Sequence, residues 1–125
     1  MYNVLIVALG GGIGAALRHL SGMAALRLLG PGFPYGTMFV NILGSFVMGV
    51  FIELLARRFG ASDELRLFFA TGVLGGFTTF SSFSLDTAVL YERGDLALAA
   101  VYVIGSVVVG IAALFAGLAL VRALA

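Results

Sequence analysis

The side chains that could do chemistry in this sequence stand inside apolar runs. Asn41 lies in one such run, five residues after Gly36. Its amide offers two donor hydrogens and one acceptor oxygen. A second group is the stretch Ala70-Thr71-Gly72-Val73-Leu74-Gly75-Gly76-Phe77-Thr78-Thr79-Phe80-Ser81-Ser82-Phe83-Ser84. Phe80 and Phe83 are three apart and share a helix face, and Ser81 and Ser84 share the neighbouring face. Tyr102 and Ser106, four apart, put two hydroxyls on one helical stripe, and Asp86 lies further along the third apolar block. Arg18 follows a short apolar run, where it either snorkels to an interface or lines a wet vestibule. Polar groups inside apolar spans are costly and are therefore site candidates. The inventory is one of donors: amide, hydroxyls, the positive edges of aromatic rings, and an arginine that would raise the local anion concentration. No carboxylate stands in the first apolar block or in the core of the second, where a proton-coupled cation exporter would want one. The substrate sign is negative, and a small anion is the expected cargo. Each group also has a packing reading: an interhelical hydrogen bond for Asn41, and lipid-facing or core positions for the two phenylalanines.

The surroundings of these residues decide what must position them. Of 125 residues, 62% are hydrophobic and 10% charged, whereas a soluble domain carries roughly a quarter charged residues. There is no cysteine, so neither a disulfide framework nor a thiolate metal site is possible, and one histidine excludes a multi-histidine metal site within a subunit. A net charge of +1 leaves no electrostatic footprint for nucleic acid. Met1-Tyr2-Asn3 lacks the basic residues of a cleavable signal, so the first apolar run is expected to stay as a helix.

Four apolar blocks, at about residues 4–29, 37–55, 67–91 and 96–121, are each long enough to cross a hydrocarbon core of about 30 Å. The expected architecture is an all-α membrane protein with four transmembrane helices in a single domain, residues 1–125. Gly30-Pro31-Gly32-Phe33-Pro34 reads as a loop, Arg57-Arg58-Phe59-Gly60-Ala61-Ser62-Asp63-Glu64 as a charged loop with Ser62 or Asp63 capping the third helix, and Glu92-Arg93-Gly94-Asp95 as a tight turn. Gly10/Gly14, Gly11/Ala15, Ser45/Gly49, Ser106/Gly110 and Ala113/Gly117 are small-residue pairs four apart, which let helix backbones approach in lipid.

Gly75-Gly76 followed by Thr78-Thr79 is a poor continuous helix. It predicts a third helix broken mid-span, with Thr78 or Thr79 capping the second half. Non-helical backbone at membrane depth survives only where protein buries it or water reaches it, and such a break exposes backbone groups that can hold ions. With four spans, Arg57, Arg58, Arg66 and Arg122 fall on one side and Arg18, Arg27 and Arg93 on the other. Orientation follows Lys/Arg asymmetry, so four against three, with no lysine, permits insertion both ways.

The segment Gly10-Gly11-Gly12-Ile13-Gly14-Ala15 loosely matches a dinucleotide fingerprint. That motif needs a βαβ context and an acidic residue about 20 positions later, and residues 30–40 contain none. A close helix contact explains the glycines better.

Three blocks together resemble the Fluc (CrcB) fluoride channel family: Gly11-Gly12-Ile13-Gly14-Ala15-Ala16-Leu17-Arg18, Gly36-Thr37-Met38-Phe39-Val40-Asn41-Ile42-Leu43-Gly44-Ser45-Phe46, and Gly72 through Ser84. The resemblance runs along the whole chain, and the third block is the most specific. It implies an antiparallel, dual-topology homodimer in the cell membrane with two fluoride pores at the interface. By similarity Asn41 points its amide into the pore, Phe80 and Phe83 supply ring edges, and Ser81, Tyr102 and Ser106 continue a polar track. The resemblance also implies that the backbone carbonyls of Gly75 and Thr78 from each subunit enclose one structural sodium ion. The sequence departs from the family's pattern at Ser82 (commonly threonine), Asp86 (often glutamate), His19 (usually aromatic) and Gly110, which has no hydroxyl. A small four-helix multidrug exporter, which also inserts both ways, is the alternative; it would need a buried glutamate in the first helix. No nucleophile–base pair is present, and no enzyme is expected.

Overall fold

The computed structural model describes residues 2–59 and 63–124. Gly60, Ala61 and Ser62, and with them the expected cap at Ser62, lie outside the described residues. The described chain is helical almost throughout. Helix α1 spans Tyr2–Leu29 and α2 spans Tyr35–Leu54, continued by a π-helical turn over Leu55–Phe59. A short helix α3 (Asp63–Arg66) leads into π-helical turns over Leu67–Leu74 and then α4 (Gly75–Phe77). Helix α5 covers Ser81–Glu92 and α6 covers Leu96–Leu124. At 1.5 Å per residue, the 28 residues of α1 extend ~42 Å, more than a hydrocarbon core requires. Four stretches are long and apolar enough to cross a membrane: Tyr2–Leu29, Tyr35–Arg57, Asp63–Glu92 and Leu96–Leu124.

The ends of these stretches follow local chemistry. The second begins at Tyr35, directly after Pro34, because proline presets φ and needs no partner for a missing N–H. The third begins at Asp63, earlier than its apolar run, since Asp63 and Glu64 suit the positive end of a helix dipole. Gly30 and Gly94 adopt φ values of 81° and 85°, which end α1 and turn the chain between α5 and α6. Arg93 ties that turn to the α1–α2 loop: its Nη2 donates to Asp95 Oδ2 at 2.8 Å and to the Gly32 carbonyl at 3.0 Å.

Two helix pairs make the bundle. Helix α2 packs along α6, and α1 packs along residues 67–77. Both contacts bring backbone against backbone. A Cβ on Gly10 would strike the Phe68 carbonyl, one on Gly14 the Val73 carbonyl, and one on Gly76 the Gly11 carbonyl. Across the other pair, a Cβ on Gly49 would strike the Leu114 carbonyl and one on Gly117 the Phe46 carbonyl. The glycine run that loosely matches a dinucleotide fingerprint thus lies within one continuous helix, and its packing face is Gly10, Gly11 and Gly14.

The interior is small. Leu90, Ala99 and Tyr102 form its cluster, with Phe33, Met38 and Phe83 packed against it. Most large apolar side chains of α1 and α6 face outward, among them Leu9, Ile13, Leu20, Ile104, Ile111 and Phe115. At one end of the α2–α6 pair, buried Glu53 bridges Arg57 Nε at 2.6 Å and Arg122 Nε at 3.1 Å.

Candidate functional site

The site is built where α4 gives way to α5. Phe77 ends α4, Thr78 is extended (φ −90°, ψ 163°), and helix resumes at Ser81. A chain that leaves the helical ladder strands N–H groups and carbonyls, which must find other partners. Several of the groups at this break find them in side chains and neighbouring carbonyls. Thr79 Oγ1 accepts from the Ser82 N–H at 3.1 Å, so Thr79 caps the first turn of α5. Thr78 turns inward instead: its N–H and its Oγ1 both donate to the Leu74 carbonyl, at 3.0 and 2.9 Å.

Asn41 reaches across from α2 and grips Thr79 at two points. Its Nδ2 donates to the Thr79 carbonyl at 2.9 Å, and its Oδ1 accepts from the Thr79 N–H at 2.8 Å. In an uninterrupted helix that N–H would serve the Gly75 carbonyl four residues back. Asn41 therefore diverts the ladder partner of Gly75. One of the two Nδ2 hydrogens remains beyond this grip. Arg18 enters from α1, its Nε donating to the Gly76 carbonyl at 3.0 Å.

Asn41 and the break itself border an open groove of about 510 Å³ between α2, α6 and the 75–83 stretch. Asn41, Gly75, Thr78, Phe80, Phe83 and Ser106 all line it. Phe80 and Phe83 stand with ring centroids 5.9 Å apart, tilted by 43°. Phe80 is 78% exposed in the single chain, whereas Phe83 packs on Tyr102 at 5.0 Å. Ser106 is buried, and among the described residues its Oγ is the buried side-chain oxygen that has no hydrogen-bond partner.

Three sequence candidates stand apart from that groove. Tyr102 is fully buried and donates its hydroxyl to Asp86 Oδ2 at 3.1 Å, with Phe33 set edge-on to its ring at 5.5 Å. Ser81 Oγ lies 3.5 Å from Thr79 Oγ1. Arg18 lines a separate crevice of about 320 Å³ with Thr37, Thr79 and Ser82. Gly75 has ordinary helical dihedrals (φ −62°, ψ −39°), and a Cβ there would find nothing nearer than 3.8 Å. Gly75 therefore uses no backbone angle that a side chain would disfavour. The crowded glycine is Gly76, against α1.

Sequence reasoning missed the Asn41–Thr79 grip, the Arg18–Gly76 bond and the Glu53 bridge. Only the last left a signal, the i, i+4 spacing of Glu53 and Arg57.

A donor-lined groove on a four-span bundle offers the chemistry to receive a small polar or anionic species. The family described as CrcB-like protein, Camphor Resistance (CrcB), matches residues 5–118, and the chain belongs to it. It is similar to a protein of Agrobacterium fabrum named "Fluoride-specific ion channel FluC", with 61% identity covering 98% of each chain. Proteins of the same name from Mesorhizobium japonicum and Rhizobium etli are 60% and 56% identical, each over 99% of both chains. Family membership together with four apolar spans makes the protein a multi-pass membrane protein.

Proposed function

We propose that this protein is a fluoride-selective channel. It passively exports fluoride across the plasma membrane as an antiparallel homodimer, with the third helix broken mid-span and a sodium ion held structurally at the dimer centre. The observation that carries this reading is the groove that gathers Asn41, Phe80, Phe83 and Ser106 on one open face. The names of relatives at 56–61% identity over nearly the whole chain support fluoride as the cargo. The remaining Nδ2 hydrogen of Asn41, the Ser106 hydroxyl and the ring edges are weak donors suited to a small anion that must also leave. Burial of Ser106 Oγ without a partner costs about 1–3 kcal/mol, which a passing acceptor would offset. The exposure of Phe80 supports a second copy over the groove, since one chain alone leaves that ring to lipid.

The residues present fit a hard monovalent cation. Gly75 loses its ladder donor to Asn41, Thr78 lies outside the helix, and both line the groove. Carbonyl oxygens from two copies would supply four hard ligands. Bound there, sodium would screen their lone pairs and tie the two chains together, while the chain's own residues handle the anion. The reading is of a passive conduit and no enzyme.

Efflux from proteoliposomes tests it. Liposomes loaded with fluoride should release it to an external fluoride electrode at a rate set by the protein, and chloride-loaded liposomes should retain their chloride. Release no faster than from protein-free liposomes would overturn the channel reading. Equal release of both anions would leave an unselective pore, and release that needs a proton gradient would favour an exporter.

A further inference from the structure

Three consecutive carbonyls precede the non-helical stretch, and they are not equivalent. Gly75 has lost its ladder donor to Asn41. Phe77 is buried. Gly76, between them, accepts from a guanidinium that comes from another helix, 58 residues away in sequence. Arg18 is placed there by a close backbone contact of the α1 face: a Cβ on Gly76 would meet the Gly11 carbonyl, and the Ala15 nitrogen at 3.1 Å. Gly11, Ala15 and Arg18 follow one another at helical spacing, so the packed face ends in the arginine. The Arg18 crevice also includes Thr79 and Ser82, the cap and first turn of α5. One side chain thus bonds the end of α4 and lies against the start of α5.

We propose that Arg18 is a positioning residue for the cation site, acting by taking the Gly76 carbonyl through its Nε–H. This inference rests on the sodium reading above. With Gly76 held on the α1 side, the carbonyls of Gly75 and Thr78 are those presented to the groove, and a cation finds two oxygens per chain and not three. The role requires a donor at the Nε position and does not require the charge. That separates it from a vestibular arginine that concentrates anions, for which charge is the whole function.

Side-chain lengths allow the two to be told apart. Glutamine places an N–H donor at the same number of bonds from Cα as arginine Nε, without charge. Methionine fills the same positions with no donor. Lysine keeps the charge but carries its donor one atom further out. In fluoride-efflux assays across a sodium titration, Arg18→Gln should stay within about threefold of the parent rate, with its sodium midpoint unmoved. Arg18→Met and Arg18→Lys should each need about tenfold more sodium for half-maximal flux. If Gln and Met lose flux alike while Lys matches the parent, the arginine acts by charge and the proposal is overturned. A Met variant with the parent's sodium midpoint overturns it too. Should the Met variant fail to elute as a folded dimer, the Gln-against-Lys comparison decides alone, since both side chains are polar and of similar length. If parent flux is independent of sodium, the sodium reading itself fails. The proposal then falls with it, whatever the order of the variants.

Discussion

Phe80 and Phe83 face the same groove but differ in what holds them. Phe83 is anchored on Tyr102, whereas Phe80 is largely exposed and among the described residues its ring neighbour is Phe83. Replacing either ring by isoleucine removes the positive edge. Phe80→Ile and Phe83→Ile should each lower fluoride efflux about tenfold or more, equivalent to ~1.4 kcal/mol on the barrier. Phe83→Ile should lower the thermal midpoint more than Phe80→Ile, because it gives up the contact with buried Tyr102 as well as the one between the two phenylalanines, each worth about 0.5–1.5 kcal/mol. Two variants that conduct like the parent would show that ring edges do not coordinate the anion. Asn41 carries two tasks, the grip on Thr79 and the donor toward the groove. Asn41→Asp keeps an acceptor for the Thr79 N–H but sets its second oxygen against the Thr79 carbonyl, and it repels an anion. Its flux should fall by about a hundredfold, below that of Asn41→Ser, which keeps one donor. An aspartate variant with parental efflux would reduce Asn41 to a packing residue.

Helices α1 and α4 touch through glycine, and the cost of a methyl group depends on which glycine receives it. Gly76→Ala would drive a Cβ into the Gly11 carbonyl, backbone against backbone, where neither side can swing away. The expected loss is about 1–3 kcal/mol, read as a lower unfolding temperature in detergent. Gly12→Ala meets open space and Gly75→Ala an ordinary van der Waals contact in one chain, and neither should lower it for the isolated subunit. Gly75 borders the groove, so any loss there should be seen in dimer retention and sodium dependence instead. If Gly76→Ala melts at the parent temperature, the α1–α4 contact is looser than described.

The whole molecule carries seven arginines and no lysine, and Glu53 and Asp95 pair with three of them. Lys/Arg placement, and not net charge, sets orientation, so the pairing leaves the four-to-three count as the relevant one. Two lysines added to the loop after Arg57 should trap the chain in one orientation. An antiparallel homodimer then cannot form, and cells relying on that chain should lose fluoride resistance. Co-expression of a copy biased the other way should restore it. Full resistance from the single biased chain would rule out the antiparallel dimer.

Much of this protein was legible in its sequence because lipid enforces simple rules. A predominantly apolar block long enough to cross the hydrocarbon core is helical here, since no water is present to satisfy the backbone, and four such blocks mean four spans. Small residues four apart marked the contact faces for the same reason: without a hydrophobic force between helices, close backbones are what hold them. Gly-Gly and Thr-Thr marked where the chain leaves the helix, and a capping threonine was expected, although choosing Thr79 over Thr78 took the observed bond to Ser82. The partners across helices were not legible. That Asn41 closes on the Thr79 backbone, that Arg18 takes the Gly76 carbonyl, and that the Tyr102 hydroxyl goes to Asp86 and not along a stripe toward Ser106 depend on distances between residues 16 to 58 apart in sequence. Spacing along a helix fixes which face a side chain leaves from. Only packing of one helix on another fixes which backbone group it meets, and at this site backbone groups are most of the chemistry.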